Sequence, residues 1–398
     1  MSEGRSLPSN RRATRVARAE LGPAPHFRHI QFRSSVIISR TPLRISFVGG
    51  GSDLPAYYRQ AGGAVVSTTI NQYIYITVNR KFDAKIRASY SLTEMVDSVD
   101  ELRHELIREA LRLLGISGGI EITSISDIPS RGTGLGSSSS YTVGLLNALY
   151  AYLGQHAGAE RLAREACEIE LDRCGKTIGK QDQYIAAYGG LQFIQFNDDE
   201  SVFVDPIICQ PQTRQALARG LLILYTGLTR SADGILKDQA AQMAHNPAKR
   251  ALVQRMVALA EQLRNALRDN DLLAFGEILH EGWEAKRRLT DHISNRQIDE
   301  WYAHARRAGA LGGKLLGAGG GGFLLLYAPP ERHAAILSAL PELRPLAFRF
   351  ESQGSKIIYV EENGTRREDR LAQPKGLTLP LASALPVLES DERSQSVT

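Results

Sequence analysis

The chain has 398 residues, 43% hydrophobic and 23% charged, the composition of a soluble globular protein long enough for two ordinary domains. No run of about 18 apolar residues occurs, which excludes a simple membrane-spanning helix. The formal net charge is +5, but residues 1–34 hold seven Arg against Glu3 and Glu20 and account for all of it. The remainder is neutral, so no nucleic-acid partner is expected, and a solvated, disordered tail is expected over 1–34. That tail lacks the apolar core of a secretory signal. Cys167, Cys174 and Cys209 lack metal-ligand spacing, and free thiols in a reducing cytoplasm are expected.

Order is expected from about Ser35. VIISR (36–40), LRISFV (43–48), GAVVSTTI (63–70) and QYIYITVNR (72–80) are β-branched or aromatic runs bounded by turn residues and read as strands. VDELRHELIREALRLLG (99–115) reads as one amphipathic helix ending at a glycine, followed by the strand GIEITSIS. A helix is expected from the serine run at Ser137 to about Leu153, and another over 159–175. LQFIQF (191–196) and LLILYTG (221–227) read as strands. Residues 232–308 read as largely helical. GKLLGAGGGGFLLLYA follows, then a helix near 330–340 and short strands near Leu346 and Lys356. These elements predict an α+β protein of two domains, 35–212 and 213–362, with a polar, Pro-containing and disordered tail over 363–398.

Three glycine-rich runs carry the chemistry: FVGGGSD (47–53), GTGLGSSSSYTVGLLNAL (132–149) and GKLLGAGGGGF (313–323). Glycines let backbone N–H groups approach phosphate oxygens, and a helix start adds unpaired donors and partial positive charge. A hydroxyl in that first turn can also reach Mg2+. The central run is no Walker loop, because the Gly175-Lys176-Thr177 triplet has Glu170 where the first glycine belongs. It is no dinucleotide fingerprint, since helix and not strand occupies the region where the acidic residue should follow. No HRD or DFG of a protein kinase is present. Asp182, in GKQDQYIAAYGG, reads equally well as a helix cap and as a proton acceptor.

Three stretches in order resemble the galacto-, homoserine, mevalonate and phosphomevalonate kinases, the GHMP kinases: TPLRISFVGGGSDLPAYY (41–58), IPSRGTGLGSSSS (128–140) and KLLGAGGGGF (314–323). The resemblance covers about residues 36–360. It implies the two-domain GHMP kinase fold, an N-terminal mixed α/β nucleotide-binding domain followed by a ferredoxin-like C-terminal domain with extra helices. It also implies ATP and Mg2+ as cofactors. Asp182 then matches the family's proposed base and Arg44 the basic residue paired with it. Gly132, Thr133, Gly134, Leu135, Gly136, Ser137, Ser138 and Ser139 match the ATP loop, and Glu170 with Ser137 or Ser138 the metal site. Glu168 and Asp172 flank Glu170 and leave its register open. Gly50, Gly51, Ser52 and Asp53 match the acceptor site, with the third run closing it from the second domain through Gly317 and Gly319 to Gly322, of which Gly319 and Gly320 are expected at the substrate. One departure is a residue more than usual between Pro129 and Gly134, which brings Arg131 either near the phosphates or out into water.

GGGSDLPAYY, GKQDQYIAAYGG and GLGSSSSYTVGLLNAL are most similar to the family's branch acting on heptose 7-phosphate. That implies ATP-dependent phosphorylation of O1 of D-glycero-D-manno-heptose 7-phosphate in the cytoplasm, serving activated-heptose synthesis for surface glycans. Arg87, Lys85 and Lys81 are then candidates for the distal phosphate, and a homodimer is left open. A fucokinase-like or galacturonate-kinase-like acceptor and a non-catalytic sugar sensor are the alternatives. The sensor is disfavoured because GLGSSSS, Asp182 and Arg44 are all present. Tyr57 and Tyr58 fit core packing better than sugar stacking, and His104, His280 and His292 have no assigned role.

Overall fold

The computed structural model describes residues 34–129, 132–229 and 231–362. Both expected tails beyond them, and Arg131, lie outside the described residues. The strands are β1 (Ser34–Val48), β2 (Gly63–Arg80), β3 (Ile86–Ser89), β4 (Thr93–Val96), β5 (Ile120–Ser126), β6 (Leu191–Phe196), β7 (Val202–Pro206), β8 (Leu221–Tyr225), β9 (Gly312–Leu315), β10 (Phe323–Tyr327), β11 (Arg344–Pro345), β12 (Phe350–Glu351) and β13 (Lys356–Glu362). Among the described residues they form a nine-stranded sheet, with the path β13-β1-β2-β5-β3-β4 and β6, β7 and β12 attached through β2, and a four-stranded sheet β11-β8-β10-β9. The helices are α1 (Pro55–Ala61), α2 (Glu105–Leu113), α3 (Ser137–Tyr152), α4 (Ala159–Cys167), α5 (Gln181–Tyr188), α6 (Pro211–Gly220), α7 (Ala232–His245), α8 (Pro247–Arg268), α9 (Leu272–Arg287), α10 (Arg296–Arg307) and α11 (His333–Ala339). None is long and apolar enough to cross a membrane.

The strands expected at 63–70 and 72–80 are one, β2, and three further differences from the expectation have a local reason. The two strands expected before Val48 are one, because a register shift between Pro42 and Leu43 against β2 carries the ladder past the proline, as bulges do. The helix expected over 99–115 is broken. The Glu94 carboxylate accepts from the Arg103 and His104 amides at 2.7 and 3.2 Å, so the backbone restarts with His104 as the cap of α2. The helix expected over 159–175 ends at Cys167 and widens into a π-helical turn over Glu168–Arg173. Such turns add a residue and re-aim side chains, and here the turn leaves Glu170 wholly buried.

α6 lies between β7 and β8 in the chain and so joins the two sheets. The chain then returns, since β12 pairs with β2 and β13 with β1, which covers the outer edge of β1. α3 is buried almost throughout. α9 approaches β1 closely: a Cβ on Gly282 would lie 2.9 Å from Val48 Cγ2.

Candidate active site

β1 and the first turn of α5 place Arg44 against Asp182. The Arg44 Nε and Nη2 donate to Asp182 Oδ1 and Oδ2 at 2.7 and 2.6 Å, and Nη1 donates to the Gly134 carbonyl at 2.6 Å. The Arg44 amide donates to the Leu135 carbonyl at 3.0 Å, so one residue ties β1 to α5 and to the loop before α3. Asp182 does not cap its helix. Lys180 holds the cap position without a side-chain bond, and the Asp182 carboxylate faces the guanidinium. The Lys180 amide donates to the Asp53 carbonyl at 3.2 Å. Its ammonium pairs with Glu200, which also accepts from Tyr58 Oη and Arg59 Nε.

Asp53 is buried, with Oδ1 accepting from the Gly51 amide at 2.9 Å and Oδ2 from the Gln181 amide at 3.3 Å. Burial pushes its carboxyl up from the ordinary value, against the pull of the amides. A Cβ on Gly179 would stand 1.8 Å from Asp53 Oδ2, so only glycine lets that loop pass.

Gly136, at φ 76°, caps α3, whose first turn is Ser137, Ser138 and Ser139. The amides of that turn have no partner within the helix and, with the helix dipole, form an anion site. The loop lies back to back with the third glycine run. A Cβ on Gly134 (φ 75°) would come within 2.4 Å of the Leu316 carbonyl, and one on Gly317 within 2.4 Å of Gly134 Cα. Gly134→Ala combines a left-handed backbone, costing an L-residue about 1–2 kcal/mol, with this overlap. We expect a Tm lower by several degrees and ATP affinity weakened at least about tenfold. Thermal denaturation and calorimetric ATP titration check this, and unchanged ATP affinity would contradict the contact.

Glu170 lies beside this turn. Ser139 Oγ donates to Glu170 Oε2 at 3.2 Å, while Oε1 is buried without a hydrogen-bond partner. Burial pushes its carboxyl up to about 7, against the opposing field of Lys176. Ser137 Oγ instead neighbours Thr133 Oγ1 at 3.4 Å, and Ser138 is exposed. Among the described residues no group of three His, Cys, Asp or Glu side chains stands ready for a metal. A divalent ion here would therefore lean on one carboxylate, hydroxyls, water and phosphate oxygens, a donor set suited to Mg2+. The orphaned Oε1 fits that use.

These groups share a cavity of about 270 Å3, lined by Arg44, Gly50, Gly51, Asp53, Gly132, Thr133, Gly134, Gly136, Ser137, Ser138, Ser139, Glu170, Lys176, Asp182, Lys286 and Gly317, among others. Four expected residues stand back from it. Leu135 is fully buried in the core. The Ser52 hydroxyl is spent on the Ala64 backbone. Gly319 and Gly320 pack on Ile293, whose carbonyl accepts from the Gly320 amide at 2.9 Å. Gly317 and Ala318 reach the cavity in their place. Lys81, Lys85 and Arg87 do not line it and pair with Asp83, Asp97 and Glu121. Tyr57 and Tyr58 are core residues. Two lysines escaped sequence reasoning, Lys176 and Lys286. Lys286 follows Gly282 by one helical turn, and a glycine at i−4 was its available signal.

A second cavity, of about 700 Å3, shares Ser137, Ser138 and Lys176 with the first and is lined by Tyr90, His104 and Tyr141. The rings of Tyr90 and His104 meet edge to face at 4.5 Å, and His104 and Tyr141 lie 5.1 Å apart. His104 thus has a place that its sequence context did not reveal.

The family model for the GHMP kinases N terminal domain matches residues 102–190, and that for the GHMP kinases C terminal matches 259–344. The chain belongs to the GHMP kinase family. As such it is an ATP-dependent phosphotransferase with an alcohol group as acceptor. This GHMP kinase is 29% identical over 346 residues to the D-glycero-alpha-D-manno-heptose 7-phosphate kinase of Campylobacter jejuni, covering 80% of this chain and 98% of that protein. It is 28% identical over 319 residues to a bifunctional fucokinase/GDP-fucose pyrophosphorylase of Arabidopsis thaliana, covering 74% of this chain but 30% of that one. The crystal structure of a D-glycero-D-manno-heptose 1-phosphate kinase from Bacteroides thetaiotaomicron superposes with a TM-score of 0.67 at 27% identity, covering 82% of this chain and 99% of that one. These relatives group it with the family's sugar kinases.

Proposed function

We propose that this kinase transfers the γ-phosphoryl group of ATP to the anomeric O1 of D-glycero-D-manno-heptose 7-phosphate, yielding the 1,7-bisphosphate for activated-heptose synthesis in the cytoplasm. The observation that carries the chemistry is one cavity with two unlike walls. One holds the Arg44–Asp182 pair and Asp53, and the other holds the α3 amino end, Lys176 and Glu170. The choice of acceptor rests on the heptose phosphate kinases among the relatives.

In this reading the triphosphate lies across the amides of Ser137–Ser139 with Lys176 beside it, and the base enters the aromatic cavity of Tyr90, His104 and Tyr141. Glu170, with Ser139 and the neighbouring serines, would hold Mg2+. The chemistry supplied there would be neutralisation of the charge that builds on the phosphates during transfer. Asp53 accepts hydrogen bonds from acceptor hydroxyls. Asp182, held by Arg44, receives the proton of the attacking hydroxyl as its oxygen bonds to the γ-phosphorus and ADP departs.

Phosphorus NMR of the protein with ATP, Mg2+ and a panel of sugars and sugar phosphates tests this. An anomeric phosphate signal formed fastest from heptose 7-phosphate is the expected result. Faster turnover of free fucose would replace the acceptor while keeping the fold and mechanism, in line with the fucokinase relative. ATP binding with no acceptor turned over would overturn the proposal.

A further inference from the structure

The geometry points to Lys286 as a further catalytic residue, whose ammonium faces the reacting acceptor oxygen and the phosphoryl group in flight from the C-terminal-domain side of the cavity. The inference rests on the reading of Asp182 as the acceptor side of the site. Lys286 is 6% exposed yet lines the cavity. Its Nζ donates to the Gly317 carbonyl at 2.6 Å, and a Cβ on Gly50 would lie 3.9 Å from that nitrogen. The ammonium therefore spans the first and third glycine runs.

The cations at the site differ in how far their charge is already met. Each of the three nitrogens of Arg44 already donates, two to Asp182 and one to the Gly134 carbonyl. Two of its five N–H groups remain, but its charge is already met by the Asp182 carboxylate, so Arg44 serves first to hold the base. An ammonium carries three donors; one of those of Lys286 is spent on a carbonyl, and no carboxylate lies within ion-pair distance among the described residues. A buried lysine without a carboxylate partner is costly to keep, and a substrate oxygen in the cavity would supply the missing partner.

The charges facing it are Arg44 from β1, Lys314 from β9, Asp53 from the turn after β1 and Asp182 from α5. Burial, reinforced by Arg44, brings the ammonium down to about 8, while Asp53 and Asp182 hold it up. It is charged at neutral pH and stays protonated throughout the step. The hydroxyl proton passes to Asp182, the O–P bond forms, the bond from the γ-phosphorus to the bridging oxygen of ADP breaks, and Lys286 donates hydrogen bonds only.

The test is kinetic, on the acceptor that the wild-type enzyme turns over. Lys286→Met is expected to lower kcat by about 10²–10³-fold, the loss typical of one preorganised donor, with acceptor KM and ATP Kd little changed. Lys286→Arg should keep a measurable kcat and move the alkaline limb of kcat/KM, expected near 8 in the wild type, upward. A near-normal kcat in Lys286→Met, or a loss confined to KM or Kd, would overturn the assignment. Should the methionine variant not fold, the arginine variant decides, because a lysine that only braces Gly317 leaves the alkaline limb where it was. If Asp182→Asn keeps its kcat, the reading of the cavity fails. If that variant is inactive while Lys286→Met is not, this inference alone fails.

Discussion

Asp182→Asn is expected to lower kcat by about 10²–10⁴-fold, the contribution typical of a placed proton acceptor, while ATP affinity stays close to that of the wild type. The substitution is nearly isosteric and keeps one oxygen for the Arg44 guanidinium, now bonded to both carboxylate oxygens at 2.7 and 2.6 Å. What it removes is the capacity to take a proton and the counter-charge for a guanidinium that is only 4% exposed. Removing one partner of a buried ion pair outright costs about 3–5 kcal/mol. The retained amide oxygen should hold the loss to the lower part of that range. Single-turnover kinetics on folded protein separates the two effects, since destabilisation lowers the active fraction and loss of the acceptor lowers the rate constant. A folded variant with the wild-type rate constant would remove Asp182 from the chemistry.

The sequence announced the polar machinery better than its surroundings. Arg44, Asp53 and the serines lie in the stretches that resemble the GHMP kinases. Asp182 matches the family's base by the same resemblance, although its residues alone read equally well as a helix cap, and the structure brings all of them into one cavity. The register of Glu170 was another matter. With Glu168 and Asp172 at alternate positions, helical periodicity gave no reason to choose among them, and the π-helical turn that buries the middle one is a backbone choice made by tertiary packing. Lys286 was hidden differently. It opens a Lys-Arg-Arg run, which reads as a solvated face, yet Trp283 is fully buried and Gly282 brings α9 against β1, so the next turn on that face lands in the cavity. Gly319 and Gly320 erred in the opposite direction. Their run marks a tight crossing of chains, but the crossing serves Ile293, and only Gly317 and Ala318 reach the site. The return of β13 to β1 depends on a pairing across most of the chain, which no local pattern encodes.

Glu170→Gln is expected to make the ligand-free protein more stable and the enzyme nearly inactive. Glu170 is fully buried with Oε1 unpartnered, and its carboxyl is pushed up to about 7 from an ordinary 4.5. Between those two values the folded protein keeps a proton that the unfolded chain has lost. Stability therefore falls as pH rises from about 4.5 to 7, and the penalty is complete above the folded value. A neutral amide of the same shape escapes it. The gain at pH 8 is expected to be on the order of 1–3 kcal/mol, a Tm higher by several degrees, and it should vanish toward pH 4.5. Activity should move the other way, with kcat down at least about 10²-fold, because the charge on this carboxylate is what would hold Mg2+ beside the phosphates. Adding Mg2+ and ATP should raise the Tm of the wild type well above that of the free protein and raise that of the variant much less. Melting curves at pH 5 and pH 8, with and without Mg2+ and ATP, read all of this at once. No gain at pH 8 would show that the buried charge is not a burden. Equal stabilisation of both proteins by Mg2+ and ATP would show that it serves something other than the metal.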